Sequence, residues 1–227
     1  MLILAFDSST NDVTVAVARV GAADGTREIL AEISVPSRGA SEALLSAAHA
    51  ALGLADTRLD EIDRILVGVG PGTFTGIRIA AAAARSLALA TGAPLSKGST
   101  LAALAAPAVA STEGGDVLAV IDARRRQVFV QRFRGPGERG EILCAAPGEL
   151  DVEAATLVVG DGAVRYREVL SELGPIPNDA SPLHRVTAAG LVLSADLKPV
   201  TAGEVVPLYV REPDAEVRRD LNPWSKA

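Results

Sequence analysis

The chain has 227 residues, of which 48% are hydrophobic, and a formal net charge of −6. This length and apolar share suffice to bury a sizeable core in one large domain or two small ones. The acidic balance argues against a surface that holds nucleic acid by itself, because affinity for phosphate backbones comes from dense lysine and arginine.

Cysteine and histidine usage limits the chemistry further. The single cysteine, Cys144, excludes an intramolecular disulfide, and the two histidines, His49 and His184, lie too far apart for a metal-ligand motif. The chain begins MLILAFD, with no basic leader and only a short apolar run. We therefore expect a cytoplasmic protein without a membrane segment.

The first predicted elements are strands around a polar bend. Apolar residues over positions 2–20 are interrupted by DSSTND at residues 7–12, whose side chains bond their own backbone and favour turns. Another strand is predicted at about residues 29–35. Ser41 is a suitable N-cap for the next helix, which should end at Gly53, and Thr57 with Asp60 is predicted to cap a short helical turn.

A glycine loop, GVGPGTFTGIR at residues 68–78, joins a predicted strand at 65–69 to an alanine-rich helix that ends near residue 90. Gly70, Gly72 and Gly76 are spaced G-x-G-x-x-x-G, which is not the dinucleotide fingerprint, and Ile77 stands where a Walker loop needs lysine. Two interpretations stay open. The loop could bind an anion at the helix N-terminus, or its glycines could permit close packing of strand and helix, and we favour packing.

The second half of the chain repeats the plan of the first. After a strand near residues 94–96 and a helix over 100–110, STEGGD at 111–116 marks a boundary. Beyond it, Asp122 lies 122 − 7 = 115 residues after Asp7, and Val128 lies 128 − 13 = 115 residues after Val13. The repeat predicts two related subdomains: residues 1–111, which carry the glycine loop, and residues 112–227, which include the tail.

The rest of the second half is less regular. A strand at 157–159, helices at 164–173 and 188–197, and a strand at 205–209 are predicted before a polar tail. The run Arg124–Arg126 is predicted to be a solvated hairpin tip, with contact to tRNA or a partner as the alternative. Trp224, the only tryptophan, is predicted to dock either on the second subdomain or on a partner.

Four segments together resemble the TsaB family of bacterial accessory proteins in tRNA threonylcarbamoyladenosine synthesis. They are ILAFDSST at the start, GVGPGTFTGIRIA, AVIDARRRQVFVQRF and PLYVR at 207–211, in matching order and spacing. The resemblance implies an α/β, actin-like ATPase (ASKHA) fold with two related subdomains, each a mixed sheet flanked by helices. That fold agrees with the 115-residue repeat.

The resemblance also implies a function without catalysis. Family members pair with TsaD, their larger catalytic paralogue, as a heterodimer, work with the ATPase TsaE, and meet tRNA only through that complex. TsaD transfers threonylcarbamoyl to the adenosine next to the anticodon of ANN-decoding tRNAs, and binds a metal through a His-x-x-x-His pair that His49 and His184 cannot form. We therefore expect no catalytic or metal-binding residue here. A homodimer of the free chain is a further alternative.

The resemblance places the partner surface on the helices at 41–52 and 75–90. The candidate contact residues are Ser41, Leu44, Leu45, Ala48, Ile77, Arg78, Ala81 and Arg85. Thin alanine faces let two helices approach closely, but the same faces could instead pack on the chain's own sheet. Ala40 stands where the family commonly has histidine, which puts a side-chain role at that position in doubt.

A vestigial nucleotide site is the last candidate. Asp7 and Thr10, with Gly70 and Gly72, correspond to the phosphate and magnesium positions of actin-like kinases, although Asp7 is more simply explained by bonds to its own bend. We expect no tightly bound cofactor, and place any ATP or ADP at the partner interface. The alternative function is a stand-alone actin-like kinase or ATPase, whose second phosphate loop would be Gly160-Asp161-Gly162.

Overall fold

The computed structural model describes residues 1–36, 40–112, 115–135 and 137–211, and the side chains of residues 40–42 are not described. The predicted docking of Trp224 lies outside the described residues. So do any side-chain roles of Ala40 and Ser41.

The first lobe is built on a mixed five-stranded sheet. Its strands lie in the order β3-β2-β1-β4-β5, antiparallel within β1–β3 and parallel from β1 through β4 to β5. Their bounds are β1 Leu2–Asp7, β2 Asp12–Val20, β3 Arg27–Pro36, β4 Arg64–Gly68 and β5 Leu95–Gly98. The central strands are apolar at nearly every position and buried on both faces, because helices cover both sides of the sheet.

The second lobe repeats the hairpin of the first. Its sheet has the order β10-β6-β7-β8, with β9 also paired to β7. The bounds are β6 Asp116–Arg124, β7 Gln127–Arg134, β8 Glu138–Arg139, β9 Leu143–Ala145 and β10 Leu157–Val159. Asp7 pairs with Thr14 in the first hairpin, and Asp122 pairs with Val128 in the second. Both aspartates lie near the end of the first strand of a hairpin, although the pairing is shifted by one residue from the repeat, which would place Phe129 opposite Asp122.

Helices cover the two sheets. They are α1 Ala40–Leu54, α2 Phe74–Thr91, α3 Thr100–Ser111, α4 Asp161–Arg165, α5 Arg167–Leu170 and α6 Ala188–Ser194. Helices α1 and α2 pack on the first sheet in one apolar cluster. A second cluster contains side chains of both sheets together with α3 and α6. Helix α6 lies after residue 112 in sequence but packs on β1 to β4, so the late part of the chain returns to the first lobe.

Several predicted elements differ from the structure. The helix expected at 164–173 is broken at Tyr166, where φ is −116°, into α4, α5 and a 3₁₀ turn. The segment at 205–209 is not a strand, although the Leu208 amide donates to the carbonyl of Val69, just beyond the end of β4 (2.8 Å). The turn at Leu59–Glu61 is capped by the Glu61 carboxylate, which accepts from the Arg58 amide (2.7 Å), and not by Thr57 with Asp60. The Thr57 hydroxyl instead donates backwards to the Ala55 carbonyl.

Within the described ranges, no helix has the length and apolar character needed to cross a membrane.

Candidate nucleotide cleft and partner surface

The glycine loop between β4 and α2 is filled by the chain's own β1–β2 bend. A Cβ atom at Gly72 would overlap the Ser9 carbonyl oxygen, and one at Gly76 would overlap that of Ser8. The Thr73 amide donates to the Ser9 carbonyl (2.6 Å). The glycines therefore serve close approach of two main chains, which is the packing interpretation favoured from the sequence. Thr73 caps α2 by accepting from the Gly76 amide.

Asp7 is fully buried at the end of β1, and both of its carboxylate oxygens are used inside the chain. One oxygen accepts from the amide and the hydroxyl of Ser9, both at 2.6 Å, and the other accepts from the Thr100 hydroxyl at 2.7 Å. A Cβ at Gly68 would overlap the same carboxylate. These contacts bind both Asp7 oxygens within the chain, which agrees with the simpler explanation that Asp7 bonds its own bend.

A cleft of about 330 Å³ separates the two lobes, and Thr10 lines it. Asn11 crosses the cleft from the first lobe to the second: its amide NH₂ donates to Asp161 (3.0 Å), and its carbonyl oxygen accepts from Arg124 (2.7 Å). Asp161 also accepts from the Asp122 amide at 3.0 Å. Asn11 thus links the lobes through two residues of the second lobe, a contact between residues more than 110 positions apart that no local sequence pattern indicates.

Two carboxylates of the cleft, Asp161 and Asp122, are held by contacts within the chain. Burial raises the pKa of Asp161, and the nearby charge of Asp122 raises that pKa further, against hydrogen bonds and Arg124, which lower it. Asp122, whose side chain is 4% exposed, pairs with Arg124 at 3.0 Å and with Arg165 at 3.7 Å. In the ranges that the structure describes, no group of three or more acidic, histidine or cysteine side chains could hold a metal ion.

The segment Gly160-Asp161-Gly162, considered as a second phosphate loop, is packed like the first. A Cβ at Gly160, where φ is +117°, would overlap the Val120 carbonyl oxygen, and Gly162 lies against Val120 and the backbone of β6. Gly160 also donates its amide to Nδ1 of the buried His184 (3.1 Å). The geometry therefore gives the kinase alternative no open phosphate loop.

The arginine run forms the β6–β7 turn, as predicted for a hairpin tip. Arg124, Arg125 and Arg126 have φ values of 62°, 52° and 61°, a left-handed conformation that non-glycine residues seldom adopt. Arg211 supports this turn by donating to the carbonyl oxygens of Ala123 (3.0 Å) and Arg124 (3.4 Å). The late PLYVR segment therefore fixes the tip of a hairpin that lies more than eighty residues earlier.

Half of the predicted partner surface faces inward. Leu44, Ala48, Ile77 and Ala81 are at most 5% exposed, and all except Ile77 belong to the cluster between α1, α2 and the first sheet. Because these side chains already pack inside the chain, they are not available to a partner. The predicted partner surface is therefore wrong for these four residues. They fit the alternative given above, in which the helix faces pack inside the chain.

The outward positions of the two helices form a different surface. Ala82, Ser86 and Leu89 are exposed along one side of α2, and Leu89 is 89% exposed. We call these three residues the outer α2 face. On α1, the candidate Leu45 is 53% exposed. Each of the two helices thus carries at least one exposed leucine, Leu45 on α1 and Leu89 on α2.

Arg78 and Arg85, the other exposed candidates, border the outer α2 face and hold the late segment of the chain. Arg85 donates to the Val205 carbonyl (2.6 Å), and Arg78 donates to the Tyr209 hydroxyl (2.8 Å). The two arginines therefore tie residues 205–209 along α2.

The occupied carboxylate of Asp7 leads to a binding prediction. Titration of Mg²⁺–ADP into the isolated chain in a calorimeter should give no saturable heat at ligand concentrations up to about 1 mM. Asp7→Asn serves as the control. Saturable micromolar binding that Asp7→Asn removes would contradict the assignment of Asp7 to an internal role.

Comparison with known proteins places the chain in a family. The model of TsaD, tRNA N6-adenosine threonylcarbamoyltransferase, matches residues 33–158. The tRNA threonylcarbamoyladenosine biosynthesis protein TsaB of Escherichia coli is 35% identical, covering 93% of this chain and 95% of that protein. An uncharacterized protein of Mycobacterium tuberculosis is 32% identical, covering 94% and 93% of the two chains.

A solved structure extends the likeness to the fold. The structure of YeaZ from Pseudomonas aeruginosa superposes with a TM-score of 0.72 at 26% identity, covering 92% of this chain and 99% of that one. The two related lobes, each a mixed sheet flanked by helices, form the α/β actin-like ATPase fold. With these whole-length similarities, the chain belongs to the TsaB family.

Proposed function

We propose that this chain is a non-catalytic partner of a TsaD-type transferase in the synthesis of threonylcarbamoyladenosine in tRNA. The observation that carries the proposal is the whole-length likeness to the Escherichia coli protein named for this biosynthesis. Relatives from Haemophilus influenzae and Bacillus subtilis bear the same name, over 57% and 59% of this chain.

The lack of catalysis is supported by the geometry of the cleft. The two carboxylate oxygens of Asp7 accept hydrogen bonds from Ser9 and Thr100, and the Asp122 carboxylate pairs with arginines. A kinase of this fold needs such carboxylates to hold a metal–nucleotide complex. The proposed role of the chain is therefore to shape its partner, and any ATP or ADP would lie at the interface with that partner.

The outer α2 face supplies the proposed contact with the TsaD-type protein. Ala82 and Ser86 are small, so a partner helix can approach α2 closely, while Leu89 and Leu45 offer exposed apolar area for burial. In this proposal the pair is a heterodimer, TsaE joins it, and tRNA is bound through the complex, because the chain itself is acidic.

Pairing is tested directly with the TsaD-type protein of the same organism. Size-exclusion chromatography with light scattering on an equimolar mixture, at about 20 μM each, should show a single species with the mass of a one-to-one heterodimer. Separate elution of the two proteins at this concentration would contradict the proposed function.

A further inference from the structure

A second concave site lies at the N-terminal end of α2. It is a pocket of about 570 Å³ between the glycine loop, the β6–β7 turn and the late segment 208–211. Its walls are largely apolar and aromatic, with side chains of Phe74, Ile77, Phe129, Leu208, Tyr209 and Val210. The proposed function above does not use this pocket.

The charged residues among the described lining of the pocket are all arginines. Four arginines line it, Arg78, Arg124, Arg125 and Arg211, and the described residues that line it include no aspartate or glutamate. The N-terminus of α2, an 18-residue helix, adds its positive dipole end beside Thr73. In a chain with a net charge of −6, this is a local concentration of positive charge.

Arg78 is held in the pocket by rings. Its guanidinium carbon lies 3.5 Å from the centre of the Phe74 ring, and its Nε donates to the Tyr209 hydroxyl at 2.8 Å. Phe74 and Tyr209 are 55% and 47% exposed, so the stack is open to a ligand. Across the described chain no carboxylate pairs with Arg78, whereas Arg124 is paired with Asp122. The positive charge of Arg78 is therefore not neutralised by a carboxylate of the described chain, and its guanidinium lies against the Phe74 ring.

Arg211 adds a polar group without a partner. Its Nη2 is bonded to the carbonyl oxygens of the arginine turn, but its Nε is buried with no hydrogen-bond partner in the described structure. A buried donor left in this state is costly.

We propose that the pocket receives a segment of the TsaD-type partner, the protein proposed to cover the outer α2 face. This segment carries a carboxylate and apolar side chains. The carboxylate would pair with Arg78, and the apolar part would pack on Phe74 and Tyr209. Phe74 and Arg78 lie on α2 one to two turns before Ala82, so the pocket continues the proposed interface. The inference rests on the proposed function, and charge complementarity and this continuity support it.

The test measures the affinity of the TsaD-type protein for pocket variants by isothermal titration calorimetry. Arg78→Glu should weaken pairing by about tenfold or more, and its affinity should depend less on salt than that of the wild type. Phe74→Ala should also weaken pairing but keep the salt dependence, because it removes a ring and no charge. Arg19→Glu, at an exposed arginine on β2, is the matched charge control and should change affinity less than twofold. Thermal melts check that each variant folds.

The outcomes separate this inference from the proposed function. If the wild type pairs and an outer-face variant does not, but both pocket variants pair normally, the pocket inference is overturned and the proposed function stands. If Arg78→Glu leaves pairing intact and instead removes ADP binding by the complex, the pocket is a nucleotide site and the inference is again overturned. If the wild type itself does not pair, both fall.

Discussion

Replacing Ala82 with glutamate is expected to abolish pairing with the TsaD-type protein while the chain stays folded. Ala82 is exposed on the outer α2 face, so a carboxylate there is solvated in the free chain. In the complex the same charge would be buried against a partner helix without a counter-charge, at a cost of about 3 kcal/mol or more. This corresponds to a loss of affinity of at least about 100-fold.

The neighbouring alanine provides a sharp control for this prediction. Ala81 is 4% exposed and packs against the first sheet, so Ala81→Glu should lower the melting temperature of the free chain itself. Ala180→Glu, at an exposed position of the second lobe, should affect neither folding nor pairing. Calorimetric affinities and circular-dichroism melts of the three variants measure both properties. If Ala82→Glu bound the TsaD-type protein with wild-type affinity, the proposal that α2 forms the interface would be wrong.

Replacing Gly76 with alanine is expected to destabilise the fold by about 3 kcal/mol or more. The new Cβ would overlap the Ser8 carbonyl oxygen, which is main chain and cannot rotate away. The two segments are also bonded, since the Ser8 hydroxyl donates to the Gly76 carbonyl (2.8 Å). Relief of the overlap would therefore separate the β1–β2 bend from the start of α2.

Gly53→Ala is the matched control for the glycine prediction. Gly53 lies within α1, and a Cβ there meets nothing within 4 Å. Alanine should stabilise the helix by about 0.5–1 kcal/mol, because glycine loses more conformational freedom on folding. Urea unfolding followed by circular dichroism measures both changes. A Gly76→Ala variant within 1 kcal/mol of wild type would refute the tight packing of the loop.

The two-lobed architecture could be predicted from the sequence because it depends on patterns among neighbouring residues. Apolar strands that end at Asp7 and Asp122, and the glycine loop before an alanine-rich helix, need only neighbouring residues to be recognised. The crossing of α6 back to the first lobe was missed because that packing joins residues far apart in the chain. The same holds for the support of the arginine turn by Arg211.

The partner surface was harder to predict, for a physical reason. Ala81 and Ala82 are the same residue type, yet one is buried and the other exposed. An alanine-rich helix lacks the alternation of polar and apolar side chains that marks a buried face. Only the packing of α2 on the sheet distinguishes Ala81 from Ala82.

Threonylcarbamoyl transfer to tRNA in a reconstituted mixture shows most directly whether the transferase requires this chain. The mixture contains the TsaD-type protein, TsaE and the synthase that supplies threonylcarbamoyl-adenylate, all from the same organism, with and without this chain. We expect modified adenosine only when the chain is present, and no product when Ala82→Glu replaces the wild type. Equal product without the chain would contradict its role as a required partner.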